Sequence, residues 1–170
     1  MLFVLWMTVL NIAFWVGLHF AVGSLVDSLP EPLRLRWFDR RHRFFHVSVR
    51  EMKLYRRIGL PKWKDRLPQN NRDFDKRHLS PELSRGYLEK FLLVTCQSEV
   101  IHYIIAAGGF LSLLFSLLCE HPKKELPLFF WIAMFMAVGN LPFAMIQRYN
   151  RFRLLKTLEH LPAENEDKNP

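Results

Sequence analysis

The chain has 170 residues, half of them hydrophobic, and 24 Lys and Arg against 16 Asp and Glu give it a formal charge of +8. That length bounds it to one domain of ordinary size or little more. The positive charge invites a nucleic-acid reading. However, no binding motif of that kind is present and the basic residues flank long apolar segments, so anionic headgroups account for the excess and no nucleic-acid partner is expected.

The first element is residues 2–26, which carry no Asp, Glu, Lys or Arg. A helix rises about 1.5 Å per residue, so ~20 apolar residues cross a ~30 Å hydrocarbon core. Residues 100–118 and 127–146 also reach membrane-spanning length and are uncharged unless His102 is protonated. The predicted fold is therefore an all-α integral membrane protein, a single membrane domain with three transmembrane helices. "AVG" at 21–23 offers a small-x-small cleavage site. Yet no Lys or Arg precedes the apolar run, which is also too long for a signal core, so the segment reads as a retained span.

Residues 27–99 hold 17 of the 24 basic residues, 147–170 hold five and 119–126 hold two. The positive-inside rule then puts the long loop and the C-terminus in the cytoplasm. The loop is rich in Trp, Phe, Tyr and Arg, a composition suited to the bilayer interface, and short interfacial helices are predicted around 33–40 and 48–57. Pro61 and Pro68 punctuate it, and a polar segment, "QNNRDFDKRHL", follows. Ser80 as N-cap, Pro81 at the first helical position and Glu82 in the first turn predict the start of a helix of more than 30 residues running through the second span. Gly108–Gly109 allow close packing or a bend midway. In the third span Asn140 precedes Pro142 by two residues, where proline frees backbone groups and can kink the helix. That helix is predicted to continue into "QRYNRFRLLKTLEH", and residues 162–170 read as a disordered tail.

Four clusters compete for chemistry. Asp75, Arg77 and His78 sit in the dense ionisable run "FDKRHL", which is either a solvated loop or chemistry held at a surface. Glu99 and His102 are three residues apart on one helix face, with Thr95 a turn earlier; a carboxylate there can orient an imidazole as general base. An ionisable residue at a span is costly unless paired or wet, which makes it a functional candidate. Arg148 and Arg151 are also three apart, beside Gln147 and Asn150. Positive-inside anchoring explains these arginines but not Asn140 or the amides, and Arg can grip phosphate or carboxylate bidentately. Finally, His42 and His46 have zinc-pair spacing but no evident third ligand, so no metal is expected. "HVSVRE", from His46 to Glu51, imitates a His-x4-acid acyltransferase pattern and is short enough to occur by chance. Cys96 and Cys119 fall toward opposite faces under this topology, so no disulfide is expected.

"KWKD", "FDKRHL", "YLEKFLLVTCQSEVIHYI" and "NLPFAMIQRYNRFRLLKTL" occur in this order. Over residues 40–158 the sequence resembles the glycosyl-4,4'-diaponeurosporenoate acyltransferases of staphyloxanthin-type carotenoid biosynthesis, a bacterial membrane family. The resemblance implies transfer of a fatty acyl group onto a hydroxyl of a membrane-bound glycosylated terpenoid or similar glycolipid.

Under the predicted topology the clusters can converge at the cytoplasmic leaflet. His102 or His78 then serves as base, and spacing leaves open which. Glu99 orients His102, and Asp75 does the same for His78. Arg77, Arg148 and Arg151 bind donor phosphate or stabilise the oxyanion, while Gln147 and Asn150, with Asn140, offer neutral hydrogen bonds. No bound cofactor is expected; the partners are the lipid acceptor and an acyl thioester or lipid acyl donor. Two alternatives are a small membrane methyltransferase using S-adenosylmethionine and a non-enzymatic lipid-binding scaffold.

Overall fold

The computed structural model describes residues 2–67 and 84–161. Those residues are overwhelmingly helical, with no strand among them. Helix α1 spans Leu2–Asp27, α2 Glu31–Trp37, α3 Val49–Arg57, α4 Leu60–Trp63, α5 Arg85–Gly108 and α6 Pro122–His160, with 3-10 turns at Arg43–Phe45, Lys64–Arg66 and Gly109–Leu118. Three of these segments, Leu2–Asp27, Arg85–Leu118 and Pro122–His160, are long and apolar enough to cross a membrane. The predicted three-span all-α fold is thus the observed one. Side chains such as Val9, Phe20, Leu114 and Phe135 are exposed on them, as expected for helices that are apolar all round.

The described chain divides into two compact units, Met1–Arg34 with Ser98–Ala144, and Leu35–Gln97 with Met145–Pro170. In the first, Trp15, Val22, Ile105 and Ala133 form the buried core, with Phe14, Leu18, Ile101 and Met136 packed against it. The Trp15 ring lies directly over Gly109. The second span is α-helical only to Gly108; its last ten residues tighten into a 3-10 helix, whose buried positions are Gly109, Ser112 and Ser116. Small residues at these positions let α1 approach the tightened segment closely.

The second unit is built on two cores. Val47, Met52, Tyr55 and Leu60 pack with Ile146 and Tyr149 of α6, and Leu88, Phe91 and Leu92 of α5 pack with Leu154 and Leu158. The interfacial helices predicted around 33–40 and 48–57 correspond to α2 and α3. Helix α3 begins where Ser48 Oγ accepts from the Glu51 N–H at 3.1 Å, the first half of an S-x-x-E capping box. It ends at Gly59, whose φ of 70° is the left-handed conformation that glycine adopts without strain.

The predicted cap at Ser80–Glu82 and the predicted tail at 162–170 lie outside the described residues. At the described start of α5, Ser84 Oγ accepts from the Tyr87 N–H at 3.1 Å, the geometry of an N-cap. Helix α6 carries Pro127 and Pro142 inside it and runs on to His160, as the sequence predicts.

The two adjacent glycines have opposite tolerances. A Cβ at 109 would stand 1.8 Å from the Trp15 ring, whereas one at 108 would meet Leu18 at an ordinary 3.5 Å. Gly109→Ala should therefore cost about 1–3 kcal/mol through overpacking and lower the thermal midpoint of the detergent-purified protein. Gly108→Ala should leave it unchanged or raised; equal midpoints for the two variants would contradict the packing described.

Candidate active site

In the first unit, His102 of α5 is half-buried and its Nδ1 lies 3.2 Å from Asn140 Oδ1 of α6. Asn140 is itself buried, and its Nδ2 donates to the Met136 carbonyl at 3.0 Å. That bond fixes the amide, so the oxygen faces the imidazole and Nδ1 must carry the proton. The basic lone pair of neutral His102 is then on Nε2. Phe143 stacks on the ring, with centroids 5.0 Å apart and planes 20° from parallel. Glu99, one turn earlier on α5, is completely buried. Hence the group that spacing paired only with Glu99 has an orienting partner on another helix, 38 residues away.

In the second unit, Arg148 and Arg151 of α6 hold the loop that precedes α3. Arg148 grips Glu51 with both edges of its fork, Nε to Oε1 and Nη2 to Oε2 at 3.0 Å. It also donates to the carbonyls of Phe44 at 3.1 Å and His46 at 2.8 Å. Arg151, fully buried, donates through Nε to the carbonyl of Phe45 at 3.0 Å and through Nη1 to Cys96 Sγ at 3.5 Å, with its guanidinium over the Phe45 ring. Three consecutive carbonyls therefore accept from two side chains one helical turn apart. The guanidinium of Arg148, expected on the donor side, is directed at groups of the protein itself.

Glu51 and Tyr55 were not among the sequence candidates. Their signal is the S-x-x-E box at Ser48–Glu51 followed by an i, i+4 pair, inside the stretch set aside as a chance acyltransferase pattern. Tyr55 donates its hydroxyl to Glu51 Oε1. Partial burial on its own would raise the Glu51 carboxyl. The hydrogen bonds from Arg148 and Tyr55 and the guanidinium charge outweigh it, and Glu51 ends below the ordinary glutamate value. Burial, together with the bond to Glu51 and its charge, pushes Tyr55 far above the ordinary phenol range.

Gln147 and Asn150 are buried, and Gln147 Oε1 and Asn150 Nδ2 have no hydrogen-bond partner among the described residues. Gln97, which sequence reasoning missed, presents a buried Nε2 in the same condition. Burying such groups unpaired is costly, so these amides are candidates for ligand contacts. Asp75, Arg77 and His78 lie outside the described residues. Among the described residues no three His, Cys, Asp or Glu side chains group as metal ligands.

The family model for glycosyl-4,4'-diaponeurosporenoate acyltransferase matches residues 34–160. A curated protein of that name from Staphylococcus aureus (strain bovine RF122 / ET3-1) is 27% identical over 161 residues, covering 90% of this chain and 88% of the relative. Another, from Staphylococcus aureus (strain MRSA252), is 25% identical over the same coverage. No solved structure matches this chain significantly.

The Glu51 clamp has a pH signature. Its folded pKa is depressed below 4.5, so the stability it contributes is complete above that value and lost as pH falls through the lower folded one. Glu51→Gln should cost about 1–3 kcal/mol near neutrality by leaving Arg148 without its carboxylate. In thermal melts from pH 7 to pH 3 the gap between wild type and Glu51→Gln should shrink below about 4.5; a constant gap would contradict the clamp.

Proposed function

The chain belongs to the glycosyl-4,4'-diaponeurosporenoate acyltransferase family, and we propose from this that it moves a fatty acyl group from an acyl thioester or lipid donor onto a sugar hydroxyl of a glycosylated terpenoid or similar glycolipid. The observation that carries the reading is the family match across residues 34–160, three-quarters of the chain, which includes His102, Asn140, Arg148 and Arg151. The same reading puts the reaction at the cytoplasmic leaflet, with the long basic loop on that side, as the distribution of Lys and Arg argues.

The chemistry needs a base for a hydroxyl that does not ionise at neutral pH. His102 is suited to this, since the contact of its Nδ1 with Asn140 leaves the lone pair on Nε2. Nε2 takes the proton of the sugar hydroxyl as that oxygen attacks the acyl carbonyl carbon. The tetrahedral adduct then collapses with cleavage of the bond to the leaving group, which takes the proton from Nε2. Asn140 and Phe143 act as positioning residues, and Glu99 is the buried acid assigned to stabilising the imidazolium. His78 is the alternative base. Arg148 is assigned to building the loop: Arg148→Lys cannot reproduce a bidentate grip on Glu51, so a loss of function in that variant would not separate an enzyme from a scaffold.

A direct test uses cells that make glycosylated carotenoid and express matched membrane levels of wild type and variants, with lipids read by mass spectrometry. An acyl-sized mass gain is expected with wild type. His102→Ala should reduce it by about 10²–10⁴-fold, the range of a lost general base, and Asn140→Leu by a smaller factor. An unchanged product with His102→Ala would transfer the role to His78. A methyl-sized gain, or no modified lipid from any protein, would overturn the acyl-transfer reading.

A further inference from the structure

Within the first unit a cavity of about 960 Å³ lies against α1, the turn at Leu118–His121 and the first half of α6. Along α1 it is lined from Phe3 to Val16, a run of about 20 Å at helical rise, which is more than half of a ~30 Å hydrocarbon core. Its walls are mostly apolar, with Met7, Ile12, Phe129 and Ile132 among them, and its titratable groups, Glu120, His121 and Glu125, stand at or next to the turn. A volume of this size is that of a ligand pocket.

Two features show that the cavity is more than a gap for any hydrocarbon tail. Asn11 and Trp15 both line it, four residues apart on one face of α1. Asn11 is only 8% exposed and Trp15 5%. Yet Asn11 Oδ1 and Trp15 Nε1 have no hydrogen-bond partner among the described residues. One of these atoms only accepts and the other only donates. Unsatisfied polar atoms in an apolar setting are costly and call for a partner. A hydroxyl answers both, since it donates and accepts at a single oxygen.

We propose that this cavity is a binding site for a long-chain lipid carrying one un-ionised O–H group, which donates to Asn11 Oδ1 and accepts from Trp15 Nε1 while the chain lies along Phe3–Val16. A long-chain alcohol and a protonated fatty acid share this chemistry. The inference rests on the cavity alone and holds whichever reaction the protein performs. Its residues are separate from those assigned above to catalysis.

The test is photolabelling of the full-length, detergent-purified protein with three diazirine probes of equal chain length, an alcohol, a fatty acid and an alkane, followed by peptide mapping. The alcohol, the acid or both should label peptides covering residues 2–27 and 122–136, in competition with the unlabelled compound. Labelling by the alcohol alone would identify an alcohol as ligand, and acid labelling that rises at low pH a protonated acid. Asn11→Leu should weaken the labelling about tenfold, as expected for one lost buried hydrogen bond. Ile132→Trp, which fills the cavity from the α6 side and leaves Asn11 and Trp15 unchanged, should also abolish it. Both variants are checked for wild-type elution on gel filtration, and either one alone suffices if the other misfolds. Equal labelling by the alkane, labelling elsewhere in the chain, or insensitivity to both substitutions would overturn the proposal.

Discussion

Two arginines one turn apart on α6 each reach backbone that lies about a hundred residues earlier in the chain. The carbonyls of Phe44, Phe45 and His46 can only accept, and an acceptor without a donor is costly where it is buried, as Phe45 is. Arg148 and Arg151 supply the donors, and Arg148 also takes up the charge of Glu51. The rest of the second unit follows from this. With the turn held, Val47 and α3 present Met52 and Tyr55 to Ile146 and Tyr149, which closes the core. These arginines thus serve a purpose that positive-inside anchoring does not describe: they fix an irregular segment onto a regular helix.

In the first unit, order depends on small residues and one amide. Gly109 gives the Trp15 ring a seat that no other residue could offer. Asn140 sits two residues before Pro142, yet its side chain does not serve the backbone that proline disturbs. It bonds the Met136 carbonyl and turns its oxygen to His102. A neutral partner of this kind sets the tautomer without adding a charge where desolvation is expensive. The same device can orient a base in a membrane-embedded protein at lower cost than a second ion.

Much of this was legible in the amino-acid sequence. Three uncharged runs of membrane length define the spans, because no other use of such a run is as economical. The short helix predicted around 48–57 is α3, and Gly108–Gly109, read as a place for close packing or a bend, stand where the second span changes its winding. His102, Asn140, Gln147, Asn150 and Arg151 all stand out as polar groups where apolar ones are expected, and all five prove at least half-buried. What sequence could not supply was partnership. Spacing pairs residues on one helix, so it joined Glu99 to His102 and could not see Asn140 across 38 residues. It assigned Arg148 to donor phosphate or the oxyanion and could not see Glu51, 97 residues away, as its tertiary partner. For the second span, Gly108–Gly109 allowed close packing or a bend midway; that the last ten residues wind as a 3-10 helix beside α1 was not read from any local pattern.

Family membership and the oriented imidazole meet in a single claim, that this chain catalyses acyl transfer to a glycolipid hydroxyl with His102 as base. The most direct measurement reconstitutes the purified protein in liposomes with a glycosylated carotenoid acceptor and a thioester bearing an isotopically labelled acyl chain. The account predicts a labelled ester on the sugar with wild type and its near absence with His102→Ala. Hydrolysis of the thioester without ester formation, or equal ester from both proteins, would contradict it.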